Sequence, residues 1–136
     1  LKPNWQQLSG YRLPTEHEWE VAARANTQTQ FSYGNNVELH DRFGWHDIKD
    51  QRAPITALRL PNPFGLFDVH GLLWEWCQDT KGPAEQDGLQ GSSALLRNCL
   101  SYSESEFAKS SARDWQASYA MVAATFRVCR SIISDE

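Results

Sequence analysis

The chain has 136 residues with a formal net charge of −4, 40% hydrophobic residues and 22% charged residues. Those figures describe one globular domain, residues 1–136, large enough for a core and neither disordered nor basic enough to bind nucleic acid. No apolar run is long enough to span a membrane as a helix, and Leu1 opens no charged and apolar leader, so no export signal is read and localisation is left open.

Three cysteines, Cys77, Cys99 and Cys129, lie far apart with no CxxC spacing, which argues against a zinc site made from local pairs. Their odd number allows at most one disulfide and weakly favours a reducing compartment, with buried thiols as the expected state. Six tryptophans are the compositional outlier. Large aromatics fill a core where regular structure is sparse, and they also line clefts.

In chain order, LKPNWQQLSG reads as an extended entry anchored by Trp5, without a regular element. Thr15 then stands as N-cap, with Glu18 as its capping-box partner and Glu16 in the first turn, and this predicts a helix over 16–25. Trp19, Ala22 and Ala23 supply its buried stripe and Asn26 its stop. Residues 27–56 lose periodicity and read as irregular structure pinned by inward-pointing Phe31, Tyr33, Phe43 and Trp45. A loop that long calls for a function or an ion. Asn35, Asp41 and Asp47, with Asn36 and Asp50 beside them, are oxygen donors of the kind calcium takes, although their spacing fits no EF-hand and a solvated loop is the competing reading.

The stretch LPNPFGLFDVHGLLWEWCQD, 60–79, concentrates aromatics, His70 and Asp68. Pro61 and Pro63 hold it extended, Gly65 permits a turn, and LLWEW alternates as a short strand, Leu73 and Glu75 on one face, Trp74 and Trp76 on the other. QDTKGPAEQDGLQGSS reads as a polar loop, SALLRNCLSY as a strand, FAKSSARDW as a polar passage and ATFRVCRSII as a terminal strand.

RLPTEHEWEVAARA at 12–25, YGN at 33–35, the 60–79 stretch, LLRN at 95–98 and TFRVCR at 125–130 occur in a recognisable order and spacing. Over nearly its whole length the chain resembles the formylglycine-generating enzyme family, also called the sulfatase-modifying-factor domain. That resemblance implies an α+β, C-type-lectin-like fold of short antiparallel strands, few helices and long ordered loops, often with bound calcium. The chain is similar to the C-terminal part of such a domain, so the missing N-terminal part is one expected partner, beside an unidentified protein or small-molecule ligand.

The family's chemistry, as the resemblance implies it, is copper-dependent oxidation of a substrate cysteine to formylglycine. It needs a pair of cysteines, because soft thiolates hold Cu(I). In SEFAKSSAR the two slots are held by Ser105 and Ser110, so neither copper nor a catalytic residue is expected. Other departures accompany this one. RGGS[WF] reads Arg97, Asn98, Cys99, Leu100, Ser101; HGN reads His70, Gly71, Leu72; GFR reads Thr125, Phe126, Arg127.

Thr15, Glu18, Trp19, Asp68, His70, Trp74, Trp76 and Arg127 are assigned to the structural motif, although His70 beside Asp68 and Glu75 is also a candidate functional imidazole. Tyr102, Arg113, Trp115 and Tyr119 are the candidate ligand-binding residues. The first functional reading is a non-catalytic ligand- or protein-binding module, comparable to the diversified variable proteins that use this scaffold for ligand display. The alternatives are a formylglycine-generating oxidase, or a related sulfur-oxidising enzyme acting on a cysteine substrate, and a structural accessory that completes its fold with an absent N-terminal part.

Overall fold

The computed structural model describes residues 10–46, 57–83, 92–100, 108–117 and 124–131. Trp5, Asp47, Asp50, Tyr102, Ser105 and Tyr119 lie outside them. Strand β1, Gly10–Arg12, leads into helix α1, Glu16–Arg24. The helix starts where the Thr15 hydroxyl accepts from the Glu18 N–H while the Glu18 carboxylate accepts from the Thr15 N–H, the reciprocal cap expected from the sequence. Asp79 adds a second carboxylate at the same end, accepting from the Glu16 N–H.

The helix ends one residue before the expected boundary. Ala25 turns into left-handed backbone at φ 48° and Asn26 follows at 69°, so the helical hydrogen-bond ladder stops there. Asn62 closes this end from outside: its Nδ2 donates to the Ala22 and Ala23 carbonyls while its Oδ1 accepts from the Phe64 and Leu66 N–H groups. Pro63, expected to hold the chain extended with Pro61, instead lies in the turn that the Gly65 N–H closes onto the Asn62 carbonyl at 2.8 Å, so the Asn62 amide ties a turn to a helix. Beyond α1, Val37–Leu39 form a 3-10 turn capped by Asn36, and His40–Phe43 a single helical turn, α2, both too short to show as periodicity in the sequence.

The strands form two groups. β2 (Trp74–Pro83), β3 (Ser92–Arg97), β4 (Arg113–Ala117) and β5 (Ala124–Thr125) make one sheet in the order β4-β3-β2-β5, and β6 (Cys129–Ser131) pairs antiparallel with β1. β3 runs antiparallel to both its neighbours, whereas β5 lies parallel to the start of β2, Trp74 opposite Ala124. Four expectations change here. A strand starts at Gly10, β2 continues into the stretch read as a polar loop, the polar passage at 107–115 runs into β4, and the expected terminal strand divides between two sheets. For β1, β5 and β6 the pairing partner is distant in sequence, while β2 and β4 pair with β3, and the β2–β3 register shifts between Trp76 and Thr80, which breaks the alternation that marks a strand. Cys99 follows β3 and Cys129 lies in β6, so they are not on neighbouring strands, and all three cysteines are free thiols.

Two apolar clusters fill the interior. Trp19, Ala23, Val69, Cys77 and Leu95 pack α1 onto the sheet, with Leu66 against them. Phe31, Cys99 and Ala108 form the second, covered by Tyr33 and Trp74. Along β2 the covered face is that of Glu75 and Cys77, while Trp74 and Trp76 are half-buried.

Candidate functional site

Glu75 is 3% exposed. It accepts from Trp19 Nε1 at 2.7 Å, from both Nε and Nη2 of Arg127, and at 3.5 Å from Asn98 Nδ2. Four segments therefore meet on one carboxylate. A buried charge without a partner is costly, and the bidentate guanidinium makes this one tolerable. Burial works against the Arg127 charge, but its bonds to Glu75 outweigh that and hold the guanidinium above its ordinary value. A second ionic chain runs beside it. Buried Arg97 lies over the Trp19 ring at 5.5 Å and donates to Glu20 and to the Ala112 carbonyl, while Glu16 receives Arg113 at 2.7 Å.

At the centre two backbones cross. A Cβ on Gly44 would stand 1.9 Å from the His70 carbonyl oxygen, and one on Gly71 1.9 Å from that of Trp45, so both positions exclude a side chain. The Trp45 N–H donates to the His70 carbonyl at 3.0 Å across this crossing. Asn98, buried and at φ 71°, completes it: its Oδ1 accepts from the Gly71 N–H and its Nδ2 donates to the Asp68 carbonyl at 2.7 Å. Asp68 in turn accepts from Trp45 Nε1 at 3.1 Å and from the Ala57 N–H at 2.8 Å.

His70 faces the other way, into the aromatic cluster. Its Nε2 accepts from Ser32 at 3.1 Å (N–H) and 2.8 Å (Oγ), and its Nδ1 donates to the Ala108 carbonyl at 2.9 Å. Tyr33 is stacked between Phe31 and Phe43, at 4.9 and 4.6 Å between ring centroids, and its hydroxyl meets His40 Nδ1 at 2.7 Å. Burial pushes His70 and His40 each down to about 4 and raises the Tyr33 hydroxyl, so this centre is neutral at pH 7. Burial likewise pushes the Cys99 and Cys77 thiols up to about 12, and neither is a thiolate at neutral pH.

The remaining candidates sit as follows. Arg113 and Trp115 share the exposed side of β4, where Arg113 donates to Glu16. Asn35 accepts from the Gln30 N–H, and Asp41 lies exposed, 3.7 Å from His46 Nδ1. Among the described residues no three His, Cys, Asp or Glu side chains come together to hold a metal ion. Ser110 is fully buried, its N–H donating to the Gln30 carbonyl at 2.9 Å and its hydroxyl without a hydrogen-bond partner among the described residues.

The family model for the sulfatase-modifying factor enzyme 1-like domain matches residues 4–132. The chain belongs to this family. A formylglycine-generating enzyme of Thermomonospora curvata is 39% identical over 85 residues, which is 52% of this chain and 28% of that protein. A mouse protein named inactive C-alpha-formylglycine-generating enzyme 2 is 37% identical over 89 residues, 57% of this chain and 29% of its own length. Among solved structures, Treponema denticola variable protein 1 superposes with a TM-score of 0.77 at 26% identity, covering 90% of this chain and 49% of that one. The chain thus spans less than a third of these curated relatives and about half of the structural neighbour.

For a member of the sulfatase-modifying-factor family, the departures at 98 and 110 take on a physical meaning. Asn98 stands where the motif has glycine and keeps the left-handed backbone that glycine would take, adding two buried hydrogen bonds of its own. A hydrophilic residue in that slot was the available signal for its role. Nothing comparable announced Ser32, Glu20 or Arg97, whose partners are distant in sequence. Ser110, which the resemblance sets in one of the two cysteine slots, is a buried, hard hydroxyl of the kind that does not hold Cu(I).

Proposed function

We propose that the chain is a non-catalytic ligand- or protein-binding module on the sulfatase-modifying-factor scaffold. The observation that supports this reading is the burial of Ser110: with the residue set in a thiolate slot by the resemblance, that slot holds a hydroxyl that neither ionises at neutral pH nor binds soft metals. A relative named as inactive and a structural neighbour named as a variable protein agree with it. Both sides of the 101–107 segment are tied to the frame, through the Cys99 carbonyl to the Leu72 N–H and through the Ala108 carbonyl to His70. Change between 98 and 125 therefore falls on segments whose supports are fixed. Arg113 and Trp115 on β4, with Tyr102 and Tyr119, are the side chains assigned to ligand contact.

The second reading, an oxidase, is favoured by the 39% identity to the Thermomonospora curvata enzyme. One experiment separates them. The protein is loaded with Cu(I), incubated aerobically with a sulfatase-motif peptide and the product examined by mass spectrometry; no aldehyde and no retained copper are expected, and aldehyde formation overturns the binding-module reading. Calcium on the 35–47 loop, with Asn35, Asp41 and Asp47 as donors, is a separate proposal. Its test is a thermal melt in millimolar calcium, where an unchanged midpoint removes it.

A further inference from the structure

His70 is 1% exposed. Its ring is held by three hydrogen bonds, and two of them impose a direction. The Ser32 N–H is a donor only, so Nε2 must carry a lone pair, and the proton therefore sits on Nδ1, facing the Ala108 carbonyl. The Ser32 hydroxyl can rotate to accept; the backbone N–H beside it cannot. Phe31 and Tyr33 close the ring edge-on, at 5.6 and 5.4 Å between centroids. A second proton on this ring would put N–H against N–H in an enclosed place.

The other groups that face the ring do not relieve this. Tyr33 is a neutral phenol, and His40, which packs against the same Phe31 and Tyr33 rings, would add a like charge if it were protonated. Among the described residues no carboxylate pairs with His70; Asp68 is engaged by Trp45 Nε1 and the Ala57 N–H, and Glu75 by Trp19, Arg127 and Asn98. The backbone of Gly44 and Trp45 packs against the His70 carbonyl and brings no charge.

The two bonds anchor a pair of turns that also touch each other. Ser32 lies in the turn closed by the Phe31–Gly34 bridge, and Ala108 begins the turn whose Ser110 N–H returns to the Gln30 carbonyl. We propose that His70 is an acid-sensitive latch: a second proton, on Nε2, breaks its hold on Ser32 while Nδ1–H still donates to the Ala108 carbonyl, releasing segment 30–34 and with it the Gln30 carbonyl that receives the Ser110 N–H, while α1 and the β2–β3 pair stay closed. The half that stays closed is held by ionised pairs that acid leaves intact until its carboxylates titrate. The proposal does not depend on the binding-module reading, because it concerns a conformational equilibrium of the chain itself.

The test is amide and imidazole NMR on the full chain between pH 7.5 and 4. In neutral solution the His70 nitrogens should report the Nδ1–H tautomer. Below pH 6.5, after correction for intrinsic exchange, protection at the Ser32 and Ser110 amides should fall by up to about tenfold per pH unit, while Trp19, Ala23 and Leu95 keep theirs. Loss of all these amides at one midpoint, or a His70 titration that leaves Ser32 unmoved, overturns the proposal. A His70→Gln variant keeps a hydrogen-bonding side chain but cannot take up the proton, so the Ser32 and Ser110 response should vanish. If the response persists in that variant it belongs to His40, and the latch is refuted. Should the variant not fold, the wild-type spectra decide alone.

Discussion

The molecule has two buried polar centres that solve the same problem in opposite ways. Around Glu75, full charges are taken out of water and paired, with Arg127, Trp19 and Asn98 converging on one carboxylate. Around His70, the groups are kept neutral, its imidazole fixed by a donor at Nε2 and an acceptor at Nδ1 among packed aromatics. Position does not explain the difference, since both centres are built on the same short run between Asp68 and Glu75. What it teaches is that a buried polar group is stabilised either by a partner charge or by having no charge, and the choice decides which condition breaks it.

Removing the partner charge should give the largest effect. Glu75→Ala leaves Arg127 and the Trp19 indole N–H without their acceptor, and a loss of about 3–5 kcal/mol in denaturant unfolding is expected. A loss under 1 kcal/mol would mean that the carboxylate is not a centre at all. Gly71→Ala follows, since its methyl meets the Trp45 carbonyl at 1.9 Å; about 3 kcal/mol, or failure to fold, is expected by the same measurement.

Asn98 joins the two centres, and its substitutions separate backbone from side chain. Asn98→Ala should cost about 2 kcal/mol, because the Gly71 N–H and Asp68 carbonyl lose their partners and alanine must hold φ 71°. Asn98→Gly, free of the backbone strain, should recover part of that loss. Equal midpoints for the two variants would show that the left-handed conformation costs nothing here. Thr15→Ala removes a single cap outside both centres, and about 1 kcal/mol is expected.

Acid distinguishes the centres with the least perturbation. His70, held down at about 4, contributes stability that is fully present above its ordinary value of 6.5 and is lost as pH falls towards 4. Glu18, held down at about 2 chiefly by its hydrogen bonds to Arg12, contributes stability that is full above 4.5 and fades as pH falls towards 2. Melting followed at the aromatic bands and at the helical band should therefore lose the aromatic signal first. Coincident loss at every pH would erase the distinction between the regions.

The helix was legible in the sequence because its cap, stripe and first-turn carboxylates are local; only the Ala25–Asn26 turn moved its end. The family and its fold were legible through motifs. The division of TFRVCRSII between β5 and β6 was not, since Trp74 opposite Ala124 and Arg12 opposite Cys129 are pairings no local pattern records. The same limit hid the charged centre: Glu75 looked like one face of a strand, and its partners at 19, 98 and 127 come from three other segments. His70 was visible as a candidate imidazole, but Ser32 and Ala108, which fix its proton, were not.

The pairing of β1 with β6 sets Gly10 beside Ser131. Arg12 Nε donates to Ser131 Oγ across the same pair, 119 residues apart in sequence. Closing so long a stretch costs little more than closing half of it, because the entropy of closure grows only with the logarithm of length. The strand that leads into α1 is therefore fastened by residues that follow the whole of the larger sheet, and a break in β6 would free the approach to the helix cap while leaving β4-β3-β2-β5 paired.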